Sequence, residues 1–446
     1  MSPRLSETMT STARPSPQIS KCNGEYELQY TRWLLIALGI WSRTSDNAAQ
    51  TEKACSRLTS CVFVFAAAIT VIPCLMFSLI TVKTMEERLV FIGPLGFHVI
   101  NILKWLFIMC RADSMKKCIN HMRTDWLEAV TREEQNVMLK SADLGRRLTR
   151  MCAIFMYSGA IFFQAKTIFA PEGIAVNETS RRHVLPRYNY ILNWQLSPAF
   201  EIAYSTHTTL MVFLYTIEIV TCNLTAVFAS HICGQVQVMK LKLKRLEDFS
   251  ICGRSESVVH CIAAVIHCHV RILTQVNCRM EFVVWFENIR NALREICLVE
   301  VVYSTVVMCW LEFYCLREWS NSETLSLVAY ITLFISLTFN IFILCYIGEI
   351  LKNECESVAE TTYMIDWCQI SPNKLSSLIL IITMARYRLG ITAGGMMEMT
   401  LQSFGSASIS FMPIEGQLDF HNLNSLQVLK TSFLYFQMLR TVTESS

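Results

Sequence analysis

Two stretches of this chain, residues 60–82 and 325–347, each run 23 residues without a charged side chain. A bilayer span needs about 20 mostly apolar residues. Inside lipid every backbone N–H and C=O must be satisfied within the segment, so such a stretch is read as a helix. Four further segments fit the same template: residues 89–109, 151–170, 200–232 and 296–316. A seventh, near the C-terminus, is broken by polar residues. The fold class expected is therefore an all-α membrane protein with seven transmembrane helices. Composition agrees: 17% of residues are charged and the mean hydropathy is +0.36, whereas soluble domains carry about 25% charged residues.

Orientation follows from Lys and Arg. The N-terminal tail and the second, fourth and sixth loops hold 27 of them, against seven on the other side. Cytoplasmic loops carry the positive excess. The N-terminus is thus expected in the cytoplasm and the C-terminus outside. The first 20 residues are polar and hold no apolar run, so no signal peptide is expected and the segment reads as a disordered tail. The expected organisation is a cytoplasmic tail over 1–59 and helices one to six over 60–347. Long cytoplasmic loops lie at 110–150 and 233–295, and a C-terminal segment covers 348–446. Both long loops show helical patterning, so spans four and five are expected to continue beyond the bilayer. Asn177-Glu178-Thr179 is a glycosylation sequon in the third, outward loop. Asn223-Leu224-Thr225 also matches, but near the inner end of span four, where no modification is expected.

Lys104, Glu218, Glu300, Glu312 and Lys166 fall near the ends of expected spans. There long side chains can snorkel to the interface, which sets the expectation for all five. The 19 cysteines are scattered and mostly sit in apolar segments, where a thiol packs as a small hydrophobe; no disulfide framework is expected. No hydrolase elbow, zincin motif, phosphate loop or dinucleotide fingerprint occurs, so neither an enzyme nor a cofactor is expected. His260, Cys261, His267, Cys268 and His269 lack the paired spacing of a zinc site, so metal is not expected, and nothing in the charge points to nucleic acid. Tyr157, Ser158, Phe162, Phe163, Tyr204 and Thr208 lie toward the outer ends of spans three and four. They suit an apolar pocket with a few polar groups for a small ligand.

The C-terminal third carries specific motifs: Cys345-Tyr346-x-Gly348-Glu349, then Tyr363 and Trp367, then Ile391-Thr392-Ala393-Gly394-Gly395 and Leu401-x-x-Phe404. The chain finishes Leu429-Lys430-Thr431-Ser432-Phe433-x-Tyr435-Phe436-x-x-Leu439-Arg440. This resembles the signature end of insect odorant receptors. Residues 35–41 (LIALGIW) resemble that family's N-terminal element, and His231-Ile232-Cys233-Gly234-Gln235 resembles its motif at the inner end of span four. The resemblance implies an odorant receptor subunit that binds a small volatile ligand in the outer half of the bundle. It further implies a heterotetramer with the obligate co-receptor (Orco) in the lipid of the plasma membrane of an olfactory neuron's dendrite. That assembly opens as a non-selective cation channel. Spans four to six and the first half of span seven would anchor the subunits in the cytoplasm. Aligning the final Tyr-Phe pair with Tyr435-Phe436 puts the pore's hydrophobic gate at Met438 and its polar ring at Thr441.

Residues 407–427 depart from that pattern. They include Pro413, Glu415, Gly416, Asp419, His421 and Asn422 where the family runs uninterrupted. Proline inside a helix costs about 3 kcal/mol or more, and charge in lipid adds to that. Removing these 21 residues joins Ser406 to Val428 and restores a segment long enough to span. A retained intron or mis-assigned exon is the expectation. The alternative reading is a gustatory-type receptor channel, which shares the inverted topology. A G-protein-coupled receptor would carry an outside N-terminus and Asp-Arg-Tyr and Asn-Pro-x-x-Tyr elements, which this chain lacks.

Overall fold

The computed structural model describes residues 16–45, 49–80, 83, 85–129, 131–169, 199–251, 282–321, 324–364, 391–393, 395 and 397–408. They form helices α1 (Pro17–Ala37), α2 (Trp41–Thr44), α3 (Gln50–Ile80), α4 (Met85–Cys110) and α5 (Ala112–Glu128). Then come α6 (Arg132–Phe169), α7 (Ala199–Ile251), α8 (Phe282–Asn321) and α9 (Thr324–Tyr363). A two-stranded hairpin of β1 (Thr392–Ala393) and β2 (Met397–Glu398) precedes α10 (Leu401–Ser408).

Five helical segments are long and apolar enough to cross a membrane among the described residues: Gln50–Ile80, Gly93–Cys110, Glu201–Lys244, Cys297–Cys315 and Thr324–Tyr363. The third expected span, 151–170, falls in the second half of α6, which ends at Phe169. The seventh lies outside the described residues, as do Asn177, the 260–269 cluster, Met438 and Thr441.

Burial sorts the helices. In α7 every residue from 214 to 227 is buried; α6, α9, α1 and α3 all pack against it. Asn223 sits in this stretch, 1% exposed and hydrogen-bonded to Thr149 Oγ1 at 3.0 Å, so its sequon is closed to modification. By contrast, α3 turns Leu58, Phe65 and Leu79 outward, each over 60% exposed. A contiguous apolar exterior of this kind marks a surface that faces lipid or a partner rather than water. The protein is a multi-pass membrane protein.

At 53 residues, α7 is about 80 Å long at 1.5 Å per residue, well over twice the roughly 30 Å hydrocarbon core. Spans four and five continue as helices past their expected ends, in α7 and in the 40-residue α8. The second loop is α5 plus the polar first half of α6.

The helix α1 within the N-terminal tail was not expected. Ser16 caps it, with the Ile19 N–H donating to its hydroxyl at 3.4 Å, and Pro17 occupies the first turn. It buries Leu28 and Leu35. Gly39 follows at φ 72°, where a Cβ would press on the Ser56 carbonyl and the Ser60 hydroxyl. Only glycine fits there without strain. The turn places Leu38, Ile40 and Trp41 in the core, and the Leu38 carbonyl accepts from Trp105 Nε1 at 3.2 Å. The LIALGIW element is a buried hinge between α1 and the bundle.

Candidate functional site

Lys104, Glu218 and Glu300 do not snorkel. They are 1%, 0% and 1% exposed and meet in the bundle centre, from α4, α7 and α8. Lys104 Nζ donates to Glu218 at 2.7 Å and also to Glu300. Glu300 accepts from Asn340 Nδ2 of α9 at 2.8 Å, and the Tyr303 ring lies 5.0 Å from the ammonium. The expectation of interfacial placement is corrected for these three. The physical reason is that Lys104 on one helix pairs with carboxylates on two others, and Asn340 donates to one of them, so the charges are compensated inside the bundle rather than by water. Glu312 is half-buried, and the Lys166 side chain lies outside the described residues.

On the side where α7 begins, the cluster is roofed by aromatic rings. Phe97 lies 5.3 Å from Tyr215 and 6.0 Å from Tyr303. Beyond them His98 (α4) and His207 (α7) face each other with ring centroids 6.1 Å apart. Both are buried, at 4% and 7% exposure. Among the described residues, His98 Nε2 and His207 Nδ1 have no hydrogen-bond partner, and neither does the buried Thr208 Oγ1. Buried polar atoms are nearly always paired, so three unmet groups in one region stand out.

The structure does not bring the expected pocket residues together in one place. The Tyr157 hydroxyl shares a hydrogen bond with Thr216 Oγ1 at 2.8 Å, joining α6 to α7 beside Tyr215. Tyr204 lies one turn before His207 and Thr208 directly follows it, and both are half-buried. Phe163 packs 6.4 Å from Tyr330. Ser158 donates to the Phe155 carbonyl of its own helix at 2.9 Å. Phe162 is 48% exposed on the bundle surface. The sequence reading passed over His98 and His207, since a lone histidine in an apolar run has no distinctive spacing.

A second polar network sits below, where α1 and α5 meet α7. His231 Nδ1 faces Glu27 Oε2 at 3.1 Å and its Nε2 faces Asp125 Oδ2 at 2.9 Å. Only an imidazolium offers donors to both. Trp126 Nε1 also donates to Glu27, at 2.7 Å. Nearby, Arg146 lies 3.8 and 4.1 Å from the ring centroids of Tyr26 and Tyr30 and donates to the Tyr26 carbonyl. The Tyr26 hydroxyl donates to Asp143 at 2.8 Å, and that carboxylate pushes the phenol above its usual range.

The motif spanning Thr392 and Ala393 forms the β1–β2 hairpin, with Ala393 against Met397 in register. The hairpin's first strand packs against α8, and the residues at and after the end of β2 close on α9. Gly348 approaches the Met399 carbonyl so closely that a Cβ would overlap it. Glu349 accepts from the Leu401 N–H at 3.2 Å, and Lys352 reaches Glu398 at 3.5 Å. The Gly348-Glu349 pair at the end of span six is thus the seat for the segment that follows.

Against this geometry, the family model described as 7tm Odorant receptor matches residues 84–408. The chain is 22% identical to Odorant receptor 2a of Drosophila melanogaster over 118 residues. That match spans 26% of this chain and 30% of the relative's length. The olfactory receptor OR5 from Machilis hrabei, solved in complex with eugenol, shares the fold at a TM-score of 0.66 and 13% identity. The superposition covers 94% of this chain and 100% of that one. The same receptor in a second structure gives 0.65. At these identities the likeness speaks to the fold alone.

Proposed function

The chain belongs to the odorant receptor family, whose model matches residues 84–408, and from that premise we propose that it is the odorant-tuned subunit of a ligand-gated cation channel. The family match is the observation that carries this reading. In it, the chain crosses the plasma membrane of an olfactory neuron seven times, from a cytoplasmic N-terminus. A small volatile ligand binds in the outer half of the bundle, bordered by Tyr157, Ser158, Phe162, Phe163, Tyr204 and Thr208. The Machilis hrabei receptor was solved with eugenol, which favours a small-molecule ligand here. The channel is a heterotetramer with the co-receptor, gated at Met438 with a polar ring at Thr441. Asn177 carries a glycan outside.

The family match stops at residue 408, where the insert 407–427 begins. That supports reading the insert as foreign to the span. Odour-evoked currents, recorded in cells expressing the chain with the co-receptor, test both ideas. Current from a form lacking 407–427 and none from the full chain is the expected result. Current from both would keep the receptor and overturn the insert reading. Silence from both, with surface expression established, would overturn the channel reading.

A further inference from the structure

We infer that His98 is the specificity residue of the ligand site and that it selects ligands carrying a hydroxyl donor, such as alcohols and phenols, over ethers of the same size. The inference rests on the ligand-site reading above and adds the chemical class.

The argument starts from the tautomer. His98 lies in α4 one turn after Pro94, and its Nδ1 is in hydrogen-bond contact with the Pro94 carbonyl. A carbonyl only accepts, so Nδ1 carries the proton. In the neutral ring the other nitrogen, Nε2, then presents a lone pair and no hydrogen. That nitrogen is buried and meets no donor among the described residues. His207, 6.1 Å away between ring centroids, does not supply one.

A buried acceptor left unmet is costly, and in a close-packed interior it calls for an explanation. The surroundings decide which occupant supplies the donor. Phe97 packs at a tilt against Tyr215 and Tyr303 on one side, and His207 lies on the other. A ligand that fits here is apolar in body with one O–H group. An ether of equal size brings an acceptor to an acceptor and leaves Nε2 unmet. A carboxylate would bring charge with no cation beside it, because Lys104 is already committed to Glu218 and Glu300. His207 Nδ1, also without a partner among the described residues, is an adjacent group to which the ligand oxygen can turn a lone pair.

The test uses two pairs of isomers: heptanol against hexyl methyl ether, and phenylethanol against benzyl methyl ether. Binding to the full chain, purified in detergent, is read by the shift in its thermal unfolding midpoint across a concentration series. Currents are recorded in parallel with the co-receptor. Each alcohol should bind about tenfold more tightly than its isomer, the scale of one buried hydrogen bond gained rather than an acceptor left unmet. His98→Phe, which keeps a ring and removes both nitrogens, should reduce that ratio to near one while the ethers still bind. His98→Gln, which returns an acceptor at similar reach, should restore the preference. Comparing ratios between variants cancels differences in partition between water and detergent.

No preference in the unaltered chain would overturn the inference. So would a preference that survives His98→Phe, or absence of binding by all four compounds to monodisperse protein. Alcohol-selective binding with no current would support this inference and count against the channel reading alone.

Discussion

Lys104 Nζ lies 2.7 Å from a carboxylate oxygen of Glu218, with both side chains at most 1% exposed. The same ammonium bonds Glu300, so one lysine holds α4, α7 and α8 together at membrane depth. Lys104→Met leaves two carboxylates facing each other in the core. Removing one partner of a buried pair costs about 3–5 kcal/mol, enough to cancel much of a typical folding free energy. Surface biotinylation should show most of the variant retained inside the cell. The triple change Lys104→Met, Glu218→Gln, Glu300→Gln should recover much of the loss, because no charge is then left unmatched. A single variant that traffics normally would show that the cluster does not hold the bundle.

The His231 network ties the N-terminal helix to the bundle. His231→Leu strands Glu27 and Asp125, and α1 loses its polar tie to α7 while its apolar packing there remains. Hydrogen exchange across residues 17–37 should rise strongly relative to α9. Glu27→Gln keeps an acceptor for Trp126 Nε1 and loses only the charge, so its effect should be smaller, about 1–2 kcal/mol. Unchanged exchange in α1 after His231→Leu would mean that Arg146 stacked on Tyr26 and Tyr30 suffices alone.

Gly348 is expected to tolerate no side chain. In Gly348→Ala the added methyl meets the Met399 carbonyl, so the segment after β2 must lift off α9 and the Glu349 to Leu401 N–H bond must break. Native gel analysis with the co-receptor should show impaired assembly if this hairpin is part of the anchor between subunits. The neighbouring change Ser357→Ala removes a hydroxyl that accepts from Lys240 at 2.8 Å and serves as a milder control. Assembly undiminished in Gly348→Ala would sink the anchor assignment.

Glycan mapping checks the orientation. Endoglycosidase should shift the mobility of the mature protein, and Asn177→Gln should abolish that shift. Asn223→Gln should leave the glycan intact and instead lower stability, because Asn223 is buried and donates to Thr149. A glycan that persists in Asn177→Gln would place the outward site elsewhere and reopen the topology.

The sequence by itself determined the membrane setting and the five described helical segments long and apolar enough to cross it. Both follow from local physics: an uncharged run such as 325–347 has one way to satisfy its backbone in lipid. Family motifs were legible too, because glycines at 39 and 348 mark places where the backbone needs room. The tertiary structure decided the partners. Lys104 meets Glu218 and Glu300 across 114 and 196 residues, and His231 meets Glu27 across 204. No local pattern encodes such pairings, so charges that looked interfacial proved central. For the same reason His98 and His207, unremarkable in their own helices, became a candidate site only when packing left their nitrogens buried and unmet.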